Sequence, residues 1–145
     1  MKKKIIVGFI GESGVGKTTA SNVLANCGFY KVSLMSKIEE FASYLFSKEE
    51  LALNKECLLK QVKQRGMKTY KRYWLNLILM AIPEKENLIV IDDLEKEDVE
   101  GCDIIKCIEI SKTKQNNEII LNDGTLKAFK EKVKGLAKKL SKNNI

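Results

Sequence analysis

Gly11, Glu12, Ser13, Gly14, Val15, Gly16, Lys17 and Thr18 run consecutively and fit the pattern GxxxxGK[ST] throughout. Glycines at these spacings let the backbone curl until successive N–H groups point inward, a cradle for phosphate oxygens. A helix starting at the end of the loop adds the positive end of its dipole. Lys17 then supplies a mobile ammonium for the β- and γ-phosphates, and the Thr18 hydroxyl supplies a hard ligand for Mg2+. The expected cofactor-binding set is this run together with Thr19. Its ligand is a nucleoside triphosphate, ATP or GTP, bound with magnesium.

A second group follows an apolar run. Leu88 to Asp92, then Asp93, reads as a buried strand ending in two carboxylates. One of them, assigned to Asp92, would join Thr18 in orienting the metal, while Asp93 could receive a proton or hold an acceptor. Cations suited to a transferring phosphoryl group are Lys37, Arg65, Lys71 and Arg72. Arg72 is the preferred one, because the planar guanidinium matches phosphate better than an ammonium does. The catalytic set is therefore Lys17, Asp93 and Arg72. Tyr70, Tyr73 and Trp74 repeat at helical spacing, which suits either core packing or stacking on a nucleobase.

Composition narrows the chemistry further. The 145 residues contain no histidine, which excludes imidazole bases, imidazole-activated nucleophiles and histidine-ligated metals. Cys27, Cys57, Cys102 and Cys107 form no CxxC pair, and their spacing suggests small buried hydrophobes, not disulfides or a zinc site. The net charge of +7 is carried mainly by lysine. Lys60, Lys63, Arg65, Lys68, Lys71 and Arg72 lie between Cys57 and Pro83 with no acid among them, whereas Glu84 to Glu100 is acidic. Such a face fits a phosphate-bearing ligand, nucleic acid or simply a solvated surface. The charged start and short apolar run at residues 1–10 are broken by Gly8 and Gly11, so they read as a strand and not as a leader. A cytoplasmic protein without membrane spans is expected.

These residues need strands and helices to position them. Residues 4–10 form a continuous apolar run, as a central parallel strand does. Residues 17–26 read as a helix ending at Gly28, and 29–33 as a second strand. Ser36 with Glu39 predicts a capping box opening a helix over 36–46, and Ser47 with Glu50 opens another reaching Gly66. The apolar spacing predicts a helix over 69–82, stopped by Pro83. Further strands are expected at 87–92, 103–110 and 118–121, then an Asn122-Asp123-Gly124 turn and a helix over 125–140. The alternation implies a single domain spanning 1–145. Its fold class is three-layer α/β with a mostly parallel sheet, whose ligands gather at the carboxyl ends of the strands.

The chain also resembles P-loop nucleotide and nucleoside kinases, especially phage-type deoxynucleoside monophosphate kinases and dephospho-coenzyme A kinases. IIVGFIGESGVGKTTASNVLANCGFYKVSL is similar to their first strand, loop, helix and second strand. LLKQVKQRGMKTYKRYWLNLI resembles their acceptor-side helices, NLIVIDDLEKEDVE their third strand, and EIILNDGTLKAFKEKVKGL their closing turn and last helix. The resemblance implies a P-loop NTPase fold with a five-stranded sheet and a helical acceptor-binding region near 34–82. It also implies γ-phosphoryl transfer from Mg-ATP to a nucleoside monophosphate or similar small acceptor. After the third strand the phage enzymes carry Asp-Val-Arg, where this chain reads Asp93, Leu94, Glu95. Their arginine-bearing lid corresponds here to the short stretch 111–117, with Lys112 and Lys114.

That departure keeps a second reading open, a protein that holds ATP without transferring phosphate. A GTPase-type switch fits less well, because no Asp-x-x-Gly follows the third strand and Asn54-Lys55-Glu56-Cys57 lacks the acid of the guanine-reading pattern. The expected partner is a small nucleotide, with no membrane; nucleic-acid binding through the basic stretches ranks behind it, and the expected state is a monomer or homodimer.

Overall fold

The computed structural model describes residues 4–113 and 119–142. Lys114, the rest of the expected lid up to 117, and Glu118 lie outside the described residues. The chain divides into two compact units, one of Met1–Val32 with Pro83–Ile145 and the other Ser33–Ile82.

In the first unit the strands are β1 (Ile5–Ile10), β2 (Tyr30–Ser33), β3 (Leu88–Asp92), β4 (Ile105–Ser111) and β5 (Ile119–Leu121), with β2 running one residue past the boundary. They form one parallel sheet in the order β2-β3-β1-β4-β5. β1 is central, with Val7 opposite Val90 of β3 and opposite Lys106 of β4. Together with the flanking helices this is a three-layer-like α/β arrangement, consistent with the P-loop NTPase fold.

Strand residues alternate between faces. Val7, Phe9, Val90, Ile108 and Ile110 share one face and pack against helix α1 (Lys17–Asn26) and helix α6 (Leu126–Lys142). From α1 come Ala20, Val23 and Leu24, and from α6 Phe129, Val133, Ala137 and Leu140. Each fully buried aliphatic or aromatic side chain here contributes about 1.5–3 kcal/mol. On the other face Gly8 leaves room for Leu94, whose Cδ1 lies 2.5 Å from where a Cβ would stand. Because the strands are parallel, the carboxyl ends of β1, β3 and β4 emerge at one edge.

The second unit is helical. Its elements are α2 (Leu34–Leu45), α3 (Lys48–Thr69) and α4 (Tyr73–Ala81). Trp74 is its anchor. The indole is 3% exposed, donates from Nε1 to the Lys63 carbonyl at 2.9 Å, and meets Phe41 and Tyr73 edge-on. Gly66 makes that packing possible, since a Cβ there would stand 2.6 Å from the indole nitrogen.

Several local expectations shift. The cap of α2 is Ser33, whose hydroxyl accepts from the Ser36 amide, so the helix begins earlier than the Ser36–Glu39 pairing implies. The Ser47–Glu50 capping box is formed in both directions. α3 runs through Gly66 to Thr69, and α4 begins only at Tyr73, because the Tyr70 amide closes α3 on the Gly66 carbonyl. The short helix α5 (Lys96–Val99) follows β3 and was not foreseen.

The cysteines also differ from expectation. All four are free, but Cys27 and Cys57 are exposed and Cys102 and Cys107 half-buried, so none is a core hydrophobe. Burial, and then the neighbouring Cys102, push the Cys107 thiol above its ordinary value. Since the thiolate is the reactive form, alkylation at neutral pH is expected to label Cys27 and Cys57 first and Cys107 last. Peptide mass spectrometry over a time course checks the order. No helix among the described residues is long and apolar enough to cross a membrane.

Candidate functional site

Where β1 ends, the chain turns through the glycine-rich loop into α1. Gly16 is the N-cap of α1 and lies at φ 115°, a region open in practice to glycine. A Cβ at Gly16 would also stand 2.9 Å from the Phe129 ring and 3.0 Å from the Asn122 amide nitrogen. Gly11 is fixed in a similar way, at φ 151° and with the Ile110 carbonyl 2.6 Å from any Cβ. Two of the motif's glycines are therefore demanded by β4 and by the β5–α6 connection as well as by the curl of the loop. Within the loop the Val15 amide donates to the Glu12 carbonyl at 3.3 Å, and Lys17 Nζ donates to the Gly11 carbonyl at 2.9 Å. The lysine thus folds back onto the first residue of its own loop.

Asn122 reaches the same loop from the far side of the sheet. Its side-chain Nδ2 donates to the Val15 carbonyl at 2.8 Å, and its backbone amide donates to the Ser111 carbonyl at 2.7 Å. This residue was read from the sequence only as part of a turn.

The loop borders an open cleft of about 700 Å³ lined by Ile10, Gly11, Glu12, Ser13, Gly14, Lys17 and Thr18. Its other wall is Asp93, Glu95, Lys96 and Glu109. That volume suits a nucleotide-sized ligand. Four carboxylates face two ammonium groups on this lining, so an anion gains most from the loop amides and Lys17, and a divalent cation would offset the rest. Among the described residues no three His, Cys, Asp or Glu side chains converge on one metal position. Magnesium is usually held by one or two protein oxygens with phosphate and water completing its shell. The Thr18 hydroxyl and the Asp93 carboxylate on the cleft wall are donors of that kind.

The two acids at the end of β3 are placed differently. Asp92 is 7% exposed; the Ser21 hydroxyl donates to its Oδ1 at 3.4 Å, and Lys31 Nζ stands 3.6 Å from its Oδ2. Lys31 is itself held by the Asn22 side-chain oxygen at 2.6 Å. The carboxylate expected to bind metal is thus engaged by α1 and β2, one helical turn beyond Thr18. Asp93 has a left-handed backbone, φ 62°, and lines the cleft. Such a conformation costs a non-glycine residue about 1–3 kcal/mol and tends to occur at functional positions.

The remaining candidates belong to the second unit. Arg72 is half-buried and caps α4 without a side-chain bond to it, its carbonyl accepting from Asn76. Lys37 pairs with Glu40 at 3.2 Å, and Arg65 and Lys71 are exposed. Of the aromatic stripe, Trp74 is core, Tyr73 packs against it, and Tyr70 is 51% exposed. Ser21, Lys31, Glu109 and Asn122 were not singled out from sequence as site residues. Only Asn122, within its Asn-Asp-Gly turn, carried a readable signal. No protein-family model matches the chain, and no curated protein matches it.

Proposed function

We propose that this protein is a magnesium-dependent phosphotransferase that moves the γ-phosphoryl group of ATP to a nucleoside or deoxynucleoside monophosphate or a similar small acceptor. The observation that carries the reading is the strand–loop–helix geometry at Gly11–Thr18, with Lys17 and Thr18 on the wall of a nucleotide-sized cleft. The loop amides and Lys17 hold the β- and γ-phosphates, and Thr19 continues the same first turn of α1. Thr18 and a carboxylate at the end of β3 would hold magnesium, which would supply charge neutralisation across the phosphates. Asp92 is engaged by Ser21 and Lys31, and Asp93 is the acid after β3 that lines the cleft. An acceptor oxygen attacks the γ-phosphorus, the bond to the β–γ bridging oxygen breaks and ADP leaves; where the acceptor is a hydroxyl, its proton passes to Asp93 or to water. The cation proposed for the acceptor's phosphate is Arg72 of the helical unit. Such transfer is mostly positioning and electrostatics, which a histidine-free site can provide. Four free cysteines agree with a reducing cytoplasm as its compartment.

The experiment is ADP release from Mg-ATP against a panel of ribo- and deoxynucleoside monophosphates and dephospho-coenzyme A, with Lys17→Ala as the blank. One acceptor should raise turnover well above the blank. Glu95 and Glu109 on the cleft wall favour a second reading, ATP binding without transfer. Tight Mg-ATP binding with no accelerating acceptor would establish that reading and remove the first.

A further inference from the structure

We infer that Asn122 is the positioning residue of the phosphate grip, acting through the peptide plane between Val15 and Gly16. The inference rests on the nucleotide-binding reading of the loop. A carbonyl oxygen only accepts, so it is the amide nitrogen of Asn122 that faces Val15, at 2.8 Å. The peptide bond is planar and trans, which makes the Val15 carbonyl and the Gly16 N–H point in opposite directions. Holding the carbonyl out toward Asn122 therefore aims the Gly16 N–H into the loop.

The clamp is rigid at both ends. The Asn122 backbone is tied to the Ser111 carbonyl at 2.7 Å, which locks the end of β5 to the end of β4. On the loop side, Phe129 lies against Gly16 closely enough to exclude any side chain. Gly16 at φ 115° gives the plane little intrinsic preference of its own, because glycine populates both signs of φ about equally. Without the Asn122 donor, the Val15 carbonyl is free to rotate inward, where its negative end would meet the phosphate. Asn122 thus links the edge of the sheet to the direction of the Gly16 N–H.

The test is Asn122→Asp, which keeps the shape and removes the donor, with Asn122→Ala beside it. Titration calorimetry of Mg-ATP, Mg-tripolyphosphate and adenosine is combined with the ¹H–¹⁵N resonance of Gly16. The expected result is about a tenfold or greater loss for the two phosphate ligands. Adenosine affinity and the thermal midpoint should stay near wild type, and the Gly16 resonance should move. Equal losses for adenosine and Mg-ATP, or no loss at all, would overturn the inference. If the wild type binds neither phosphate ligand, the nucleotide reading fails, and the clamp is judged on the resonance alone. An unchanged Gly16 signal in Asn122→Asp then overturns it, and a displaced one sustains it.

Discussion

Gly66→Ala is expected to destabilise the helical unit, although alanine is ordinarily the better helix former. The new methyl would stand 2.6 Å from Trp74 Nε1, 2.7 Å from Trp74 Cε2 and 2.7 Å from the Tyr73 ring. Neither ring is the free end of a flexible chain, and the indole is almost fully buried. Moving it would stretch the bond from Nε1 to the Lys63 carbonyl and strand a buried donor, the indole N–H. Overpacking costs about 1–3 kcal/mol and a lost hydrogen bond about 1, against about 1 gained in helix propensity, for a net loss near 2 kcal/mol. Trp74 is the only tryptophan in the chain, so intrinsic fluorescence reports on this unit. A thermal melt followed by that signal should shift down by several degrees and start from a redder emission. An unchanged or higher midpoint would mean that the indole relocates without cost.

Lys17→Ala should separate binding from folding. The Lys17–Gly11 hydrogen bond is exposed, and a bond of that kind contributes only about 0.5–1.5 kcal/mol to stability. Against a triphosphate the same ammonium makes charge-assisted bonds worth about 1.5–3 kcal/mol, so affinity for Mg-ATP should fall by up to about a hundredfold. Turnover with any acceptor should fall with it. Calorimetry and circular dichroism on the same sample check both halves. Retained affinity in a folded variant would remove the phosphate from this loop, and with it the proposed function.

How far the sequence was legible depends on the range of the interaction. GxxxxGK[ST] and the apolar run before it are local signals, and the loop, α1 and β1 stand where they imply. Ser47 and Glu50 lie one turn apart and form their box. Ser36 and Glu39 have the same spacing but lose to Ser33, whose hydroxyl reaches the Ser36 amide and starts the helix sooner. The capping pattern cannot rank two serines on neighbouring turns. Gly66 looked like a helix end, yet it lies inside α3, because its lack of a side chain serves Trp74 and not the backbone. Asp92 and Asp93 are adjacent in the chain and opposite in role: strand alternation turns one toward Ser21 and Lys31, while a left-handed kink brings the other to the cleft. Asn122 could be read only as a turn, since its partner Val15 lies across the sheet. Contacts of that range leave no periodic trace.

The strand order sets a timetable for synthesis. β1 leaves the ribosome first, but its neighbours are β3 and β4, with Ile5 opposite Leu88 and Ile6 opposite Ile105. The helical unit, continuous in sequence and rich in local contacts, is complete before either partner exists. Nonlocal pairing of this kind forms late, because chain closure must precede its reward. A nascent chain halted at residue 92 would already contain all of the phosphate motif. It would still lack the Ile110 carbonyl against Gly11, the Phe129 ring against Gly16 and the Asn122 clamp. The loop gains these contacts only as the last helix emerges, so the unfinished chain carries the motif without the neighbours that fix its shape.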